Sequence, residues 1–395
     1  MLTEIASSDA LWLAAIKRFA RDRIAPAAQF WGNRQPEPEL FKEAAALGLM
    51  RLAVPRSAGG LQKSFSVKAR ACAILAEADF GFAMAVVNSH NVAVRLVNSA
   101  SPSVCMAVLP GLLDGQTLGC TALTEPDAGS DLGGLATVAR REKDGWRING
   151  TKSWIINARR ADVAIVYAKC EGYQSGQDFA AFLVDLHTEG VTRLPCDGPF
   201  SQHSIGSGRL ILENVVLNDV AMILRPGIAM PAILNELNGA RAYVAAMCCA
   251  MLSAAVDEAA AYGQIRQTFG KPLVAHQGWR LVLARAATDL AAAEALTAQA
   301  INAVETETDA QLLAAQAKVH AVNQCQKHLP RLLQAQGAHG LTHDQVSARH
   351  LAAVQAAALT DGASDILLER VAHLSGFGPK SSKITKGDTD ARIPD

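Results

Sequence analysis

Residues 122–134 read Ala-Leu-Thr-Glu-Pro-Asp-Ala-Gly-Ser-Asp-Leu-Gly-Gly, and the periodicity of the chain changes across them. Upstream, apolar residues recur at helical spacing, as in Leu11, Leu13, Ile16, Phe19 and Ala20, and again in Leu40, Ala44, Leu47 and Leu49. Downstream come short β-branched and apolar runs divided by turn residues. Pro126 interrupts regular structure between the two regimes, while Gly129, Gly133 and Gly134 admit backbone angles closed to other residues. Thr124, Asp127 and Ser130 carry short polar side chains that bond to nearby backbone. The expected product is a shaped polar loop at a helix-to-strand border. Backbone N–H groups turned outward from such a loop can hold the anionic or carbonyl edge of a ligand.

Three regions follow from this texture. Residues 1–118 are read as a helical domain, interrupted at Pro55 and Gly59-Gly60 and resuming from about Ser66 to Leu113. Residues 119–225 are read as a small antiparallel β-barrel or sheet domain. There Asp144-Gly145 and Asn149-Gly150 are hairpin signals, and runs at 136–138, 146–148, 153–156, 164–168, 179–184 and 210–216 supply strands. Over 226–375 long helical patterns return at 242–265, 281–304 and 309–336, lengths suited to an antiparallel four-helix bundle. Residues 376–395 lack apolar periodicity and are read as a tail. The expected fold class is α+β, mostly α, in the order helix, sheet, helix.

Composition narrows the function. Half of the 395 residues are hydrophobic but only 5% are aromatic, and frequent alanine favours close-packed helices. Lys+Arg and Asp+Glu both number 37, so no net field draws nucleic acid or a membrane surface. Eight cysteines are scattered, with Cys248 and Cys249 adjacent and no Cys-x-x-Cys pair. That pattern suits a reducing cytoplasm and implies neither a metal site nor a disulfide framework. The first ten residues carry Glu4 and Asp9 and lack a signal-peptide core. The longest uncharged apolar run, 242–256, is short for a bilayer and is read as a buried helix. A soluble cytoplasmic protein acting on a small molecule is expected.

Several stretches share one resemblance, in order, over nearly the whole chain. Residues 122–134 resemble the first signature of the acyl-CoA dehydrogenase flavoproteins, Ala/Gly-Leu-Thr-Glu-x-x-x-Gly-Ser-Asp-x-x-Gly, with every defining position kept. Val54-Pro55 with Gly59-Gly60 resembles the family's Val-Pro-x-x-x-Gly-Gly loop, and Trp154-Ile155-Ile156-Asn157 its Trp-Ile-Thr-Asn segment. Arg266, Phe269, Gly270, Lys271 and Gln277 resemble Arg-x-x-Phe-Gly-Lys-x-x-x-x-x-Gln. Gln334, Gly337 and Gly340 resemble Gln-x-x-Gly-Gly-x-Gly-aromatic, from which Ala338 and Leu341 depart. In the second signature Arg349 stands where a base is expected, and Ala353 where an acid is.

What the resemblance implies is FAD-dependent α,β-dehydrogenation of an acyl-CoA or acyl-carrier-protein thioester by a homotetramer (or homodimer), with electrons passing to an electron-transfer flavoprotein. FAD contacts then fall on Leu123, Thr124, Gly129, Ser130, Trp154, Ile156, Arg266, Phe269, Gln277, Gln334 and Gly337. Trp154 would back the flavin ring, and strand alternation puts Ile156 on its face. Ile156 replaces a threonine whose hydroxyl bonds near flavin N5, a change able to alter flavin potential or oxygen reactivity. Arg266 would reach the FAD pyrophosphate of a neighbouring subunit, a task suited to its planar fork.

Residues 359–366, Leu-Thr-Asp-Gly-Ala-Ser-Asp-Ile, resemble Ile-Tyr-Glu-Gly-Thr-Ser-Glu/Gln-Ile and put Asp361 where the family keeps its glutamate base. Alone, Asp361-Gly362 is an ordinary turn pair. As a base, the carboxylate would remove a thioester α-proton while a β-hydride passes to flavin N5. An apolar, water-poor pocket favours this by raising its pKa. Ala240, just ahead of Arg241, offers no carboxylate at the second base location used by some relatives. Substrate contacts fall on Ser130, Asn238, Arg241 and Gly362, with Asn238 replacing the aspartate of an Asp-x-x-Arg pair. Leu368 stands where an arginine often helps. Two further readings stay open: nitroalkane-oxidase-like oxidation of a small carbon acid with O2, and a catalytically impaired subunit of a hetero-oligomeric acyl-CoA dehydrogenase, suggested by Ala338, Ala363 and Leu368.

Overall fold

The computed structural model describes residues 7–377 apart from 175, 199, 201 and 309, so nearly all of the expected tail lies outside the described residues. The chain opens with α1 (Ser7–Phe19), which runs through a π turn at Ala20–Ile24 into α2 (Ala25–Ala28). Next come α3 (Pro38–Ala46), α4 (Phe65–Ala78), α5 (Phe80–Ser99) and α6 (Pro102–Leu113). Three of these starts are written locally. Ser64, Asp79 and Ser101 are N-caps whose side chains accept from the N–H of Val67, Phe82 and Val104, groups with no partner inside the helix.

The middle region is one eight-stranded sheet. Its strands are β1 (Gly119–Ala122), β2 (Val138–Glu142), β3 (Gly145–Ile155), β4 (Val163–Cys170), β5 (Phe179–Asp185), β6 (Val191–Pro195), β7 (Gly208–Leu217) and β8 (Met222–Leu224). They lie in the order β6-β7-β3-β2-β4-β5-β8, with β1 added beside β4. The sheet is mixed rather than purely antiparallel, because β4 runs parallel to both β1 and β2. Only one of the two hairpin signals makes a turn. At Asp144-Gly145 the chain turns from β2 into β3 through Lys143-Asp144, with Gly145 paired to Glu142, whereas Asn149-Gly150 lies inside β3 at a register shift against β7. There Gly150 has φ 155°, and a Cβ would lie 2.4 Å from Thr137 Oγ1, so glycine serves a bulge with a close neighbour.

Helices then return as α7 (Ala229–Ile265), a small hairpin of β9 (Gln267–Thr268) and β10 (Lys271–Pro272), α8 (Gln277–Glu305), α9 (Gln311–Ala335), α10 (Val346–Leu359) and α11 (Ser364–Leu374). Alanine explains how closely they pack. Ala255, Ala259, Ala293, Ala300, Ala317 and Ala321 are all buried in one core shared with α1–α5, where small side chains bring helix backbones together. Gly263 is the extreme case, since a Cβ there would lie 2.1 Å from the Trp279 ring. α7 begins well before the 242–256 run. It and α5 are each long and apolar enough to cross a membrane, but their apolar windows are 56% and 72% buried within the protein. Central bundle helices, apolar on most sides, have that composition for packing reasons.

Candidate active site

The loop at 122–134 is fixed by Glu125. Its carboxylate accepts from the N–H of Ala136 at 2.6 Å and of Thr137 at 3.0 Å, and from Lys152 Nζ at 2.7 Å. Lys152 also donates to Leu123 O at 3.0 Å, and Ser153 N–H to Thr124 O at 2.9 Å. The loop is thereby stapled to the end of β3, with Thr124 beside the Ser153–Trp154 turn. Burial pushes Lys152 down to about 8 while its bond to Glu125 opposes the shift, and Glu125 is held below its ordinary value by its donors. Among the described residues the N–H groups of Gly129 and Ser130 meet no protein acceptor, and both residues lie on the exposed part of the loop, open to solvent or a ligand.

Lys152→Met is expected to leave Glu125 buried without its cation and to destabilise the sheet by about 3–5 kcal/mol. A lowered thermal transition would show it. An unchanged transition would mean that the Lys152–Glu125 pair does not hold the loop.

Past Lys152 strand alternation fails. The pairing with β7 slips between Lys152 and Ile155, and both Trp154 (φ 60°) and Asn157 (φ 65°) are left-handed. Trp154 and Ile156 therefore do not share a strand face. The Trp154 side chain is 64% exposed, while Ile156 is partly buried against the helical core. Asn157 is fully buried and donates to Ala85 O at 2.7 Å and Gly119 O at 3.2 Å, tying this turn to α5 and β1.

A second group gathers around Asp361, which follows the Thr360 C-cap of α10 in a left-handed turn with φ 54°. Arg241 Nε on α7 donates to Asp361 O at 3.0 Å, and its Nη1 to Asn238 Oδ1 at 2.9 Å. From below, the fully buried Lys318 on α9 donates to the carbonyls of Thr360 and Gly362, one on each side of Asp361. The Asp361 carboxylate oxygen Oδ2 is inaccessible and has no hydrogen-bond partner among the described residues. Burial raises its pKa above the ordinary aspartate value, against the opposing charges of Lys318 and Arg241. Burial also lowers Lys318, to about 8, against the attraction of Asp361. The sequence-predicted Asp361, Gly362, Asn238 and Arg241 are thus brought together. Ala240, where a second base was sought, is buried.

The third group lies at the far end of the bundle. A cleft of about 820 Å³ is lined by Tyr262, Arg266, Thr268, Trp279, Gln334 and Gly337, among others, so two motifs distant in sequence meet there. Arg266 is exposed at the end of α7, and no described residue bonds its guanidinium. Phe269, 97% exposed, stands at the tip of the β9–β10 hairpin, and Gln277 opens α8 on the surface. None of the lining residues comes from 122–157 or from 361–362. Arg349 instead donates to His343 O and Gln345 O, and Ala353 faces the core.

Lys152 and Lys318 were not found by reading motifs. The available signal was an isolated lysine within an apolar stretch, in Gly-Thr-Lys-Ser-Trp and in Ala-Ala-Gln-Ala-Lys-Val, a residue type almost never fully buried unless paired.

Comparison with known proteins covers the same three regions. Family models for the N-terminal, middle and C-terminal domains of acyl-CoA dehydrogenase match residues 8–116, 120–215 and 230–375. The human mitochondrial short-chain specific acyl-CoA dehydrogenase is 28% identical over 366 residues, covering 92% of this chain and 89% of that protein. An acyl-CoA dehydrogenase of Bacillus subtilis is 28% identical over 355 residues, covering 89% of this chain and 93% of its own length. Among solved structures, the glutaryl-CoA dehydrogenase of Mycobacterium smegmatis in complex with FADH2 is similar with TM-score 0.89 and 25% identity, over 95% of this chain and 96% of that one. Butyryl-CoA dehydrogenase of Megasphaera elsdenii has the same fold, with TM-score 0.88 at 24% identity over 95% of this chain and 100% of that one.

Proposed function

This chain belongs to the acyl-CoA dehydrogenase family and dehydrogenates an acyl thioester with FAD, and we propose that Asp361 is the base that removes the α-proton. One observation carries the assignment: a buried carboxylate oxygen without a partner, on a strained turn held from two sides by cations. Non-glycine residues with positive φ persist only where their surroundings over-determine them. Here Arg241 and Lys318 take the backbone carbonyls of 360–362, which fixes the turn and leaves carboxylate oxygen Oδ2 for a substrate C–H.

The residues present fit an FAD. Free N–H groups at Gly129 and Ser130, an exposed Trp154 ring beside them and an unpaired Arg266 at the bundle cleft match a ligand with both an aromatic ring system and phosphates. When bound, the cofactor supplies the acceptor for the hydrogen lost from the substrate β-carbon. Asp361 takes the α-proton on its carboxylate, and the electrons of that C–H bond become the new carbon–carbon double bond. Ser130, Asn238, Arg241 and Gly362 then face the thioester, borne by CoA or by a carrier protein. An electron-transfer flavoprotein is the redox partner in this reading.

The cleft with Arg266, Gln334 and Gly337 shares no lining residue with the Trp154 or Asp361 groups. This separation supports a site completed between two copies of the chain, with Arg266, Phe269 and Gln277 serving the neighbour's cofactor in a homotetramer or homodimer. Ile265, Phe269 and Leu341, all exposed around that cleft, give such a contact its apolar surface. Arg266→Ala is expected to weaken FAD retention by about 10- to 100-fold, the loss of a charge-assisted phosphate contact. Flavin content after gel filtration checks it, and full retention would remove Arg266 from the site.

Anaerobic titration with acyl-CoAs, following flavin absorbance, tests the function as a whole. Bleaching by a thioester supports it, and bleaching by a nitroalkane alone would replace it with carbon-acid oxidation.

A further inference from the structure

A second polar cluster lies between α4, α5 and α7, next to the Asp361 turn. Lys68 on α4 is 9% exposed and donates to Asn91 Oδ1 on α5 at 2.7 Å. Asn91 Nδ2 in turn donates to the Tyr243 hydroxyl on α7 at 3.2 Å. The Lys68 ammonium stands 5.5 Å from the centre of the Tyr243 ring. Tyr243 follows Arg241 by two residues on α7, and its phenol is pushed well above its ordinary value by burial and next by the charge of Asp361. Arg241 bonds the Asp361 carbonyl, so the turn of α7 that carries Tyr243 adjoins the proposed base.

Its bonding is one-sided. An ammonium has three N–H donors, of which Asn91 takes one among the described residues. The bond from Asn91 uses a lone pair of the Tyr243 oxygen, and among the described residues the phenol proton meets no acceptor. Glu236, whose charge reaches Lys68, is bonded to Arg95 instead. Burial lowers Lys68 below its ordinary value. A buried cation with no carboxylate partner is costly, and so are spare donors in the same place. An acceptor-rich anion would satisfy both.

We infer that Lys68, with Asn91 and Tyr243, binds a carboxylate at the far end of the acyl group, so that the substrate is a short dicarboxylic acyl thioester. This deepens the reading of Asp361 as base and rests on it. Lys68 would take one carboxylate oxygen and the Tyr243 hydroxyl the other, while the thioester carbon chain runs past Asp361.

The test is anaerobic flavin reduction by matched pairs of thioesters, succinyl against butyryl, glutaryl against pentanoyl and adipyl against hexanoyl, offered on CoA and on a carrier protein. The ω-carboxylate member of at least one pair is expected to be preferred by about 10- to 100-fold in kcat/KM, the value of a charged hydrogen bond. Lys68→Met is expected to collapse that ratio, and Lys68→Arg to retain part of it. If the apolar members bleach the flavin as well as or better than their partners in every pair, the inference is overturned while Asp361 stands. If the preference is present but survives Lys68→Met, Lys68 is not its source and the inference also falls. If no thioester bleaches the flavin, both readings fail. Should the Met variant not fold, Tyr243→Phe takes its place, and a preference that it leaves unchanged overturns the inference.

Discussion

Asp361→Asn is expected to slow anaerobic flavin reduction by an acyl thioester about 10²- to 10⁴-fold, the usual worth of a positioned general base. The amide keeps the shape of the side chain, and the Asp361 carbonyl that accepts from Arg241 is backbone and stays. Only proton acceptance is lost, so bound FAD should be retained. The pH profile follows from the same site. The base works deprotonated, and burial raises its pKa. Reduction should therefore fail as pH drops through a point above the value of about 3.9 for a free aspartate. Stability runs the opposite way. A folded-state pKa above the unfolded one stabilises the fold at low pH, and that contribution is lost as pH rises through the folded pKa. At neutral pH the Asn variant is then expected to melt at the same temperature or higher, the pattern of a residue kept for chemistry at a cost in stability. Stopped-flow reduction with a thermal scan of both proteins checks this. An Asn variant that reduces flavin at the wild-type rate would sink the assignment.

Elements were legible in the sequence where local chemistry decides them, and the site was legible only as types of residue. The helix–sheet–helix order follows from a change of apolar period at 122–134, whereas the N-caps Ser64, Asp79 and Ser101 that start three helices went unread. Asn149-Gly150 misled because a dipeptide that favours a tight hairpin also suits a bulge, and only the partner strand decides between them. The parallel pairing of β4 with β1 and β2 was hidden for the same reason, being a property of strand neighbours far apart in sequence. At Trp154 and Ile156, alternation was applied through a backbone that leaves the β region twice within four residues. Motif reading did name Asp361, Arg241 and Asn238, which the fold gathers from α7 and the α10–α11 turn. It passed over Lys318 and Lys152 and gave no role to Glu125 of the first signature, side chains that bond backbone carbonyls and N–H groups. A side chain that serves main-chain atoms leaves no pattern of partner residues to recognise.

Lys318→Met should reveal how much of Asp361's behaviour is set from beneath. The substitution removes two donors from the Thr360 and Gly362 carbonyls and one positive charge from the neighbourhood of the carboxylate. The two losses have separate signatures. Without the bonds, a turn held at φ 54° is free to relax, and displacement of a reacting group by about 1 Å costs on the order of 10²-fold in rate. Without the charge, less opposes the burial that raises Asp361, so its pKa climbs further. The acid limb of flavin reduction should then move to higher pH, leaving less of the base ionised at neutrality. Burial holds Lys318 to about 8, so in the wild type the ammonium is charged across the range in which the limb is read. Lys318→Arg keeps the charge while changing the geometry of donation, and is expected to slow the reaction without moving the limb. If the Met variant is slower but its limb stays in place, Lys318 acts through the turn's geometry alone. A Met variant with both rate and limb unchanged would show that Arg241 holds the turn unaided, and Lys318 would lose its place in the mechanism.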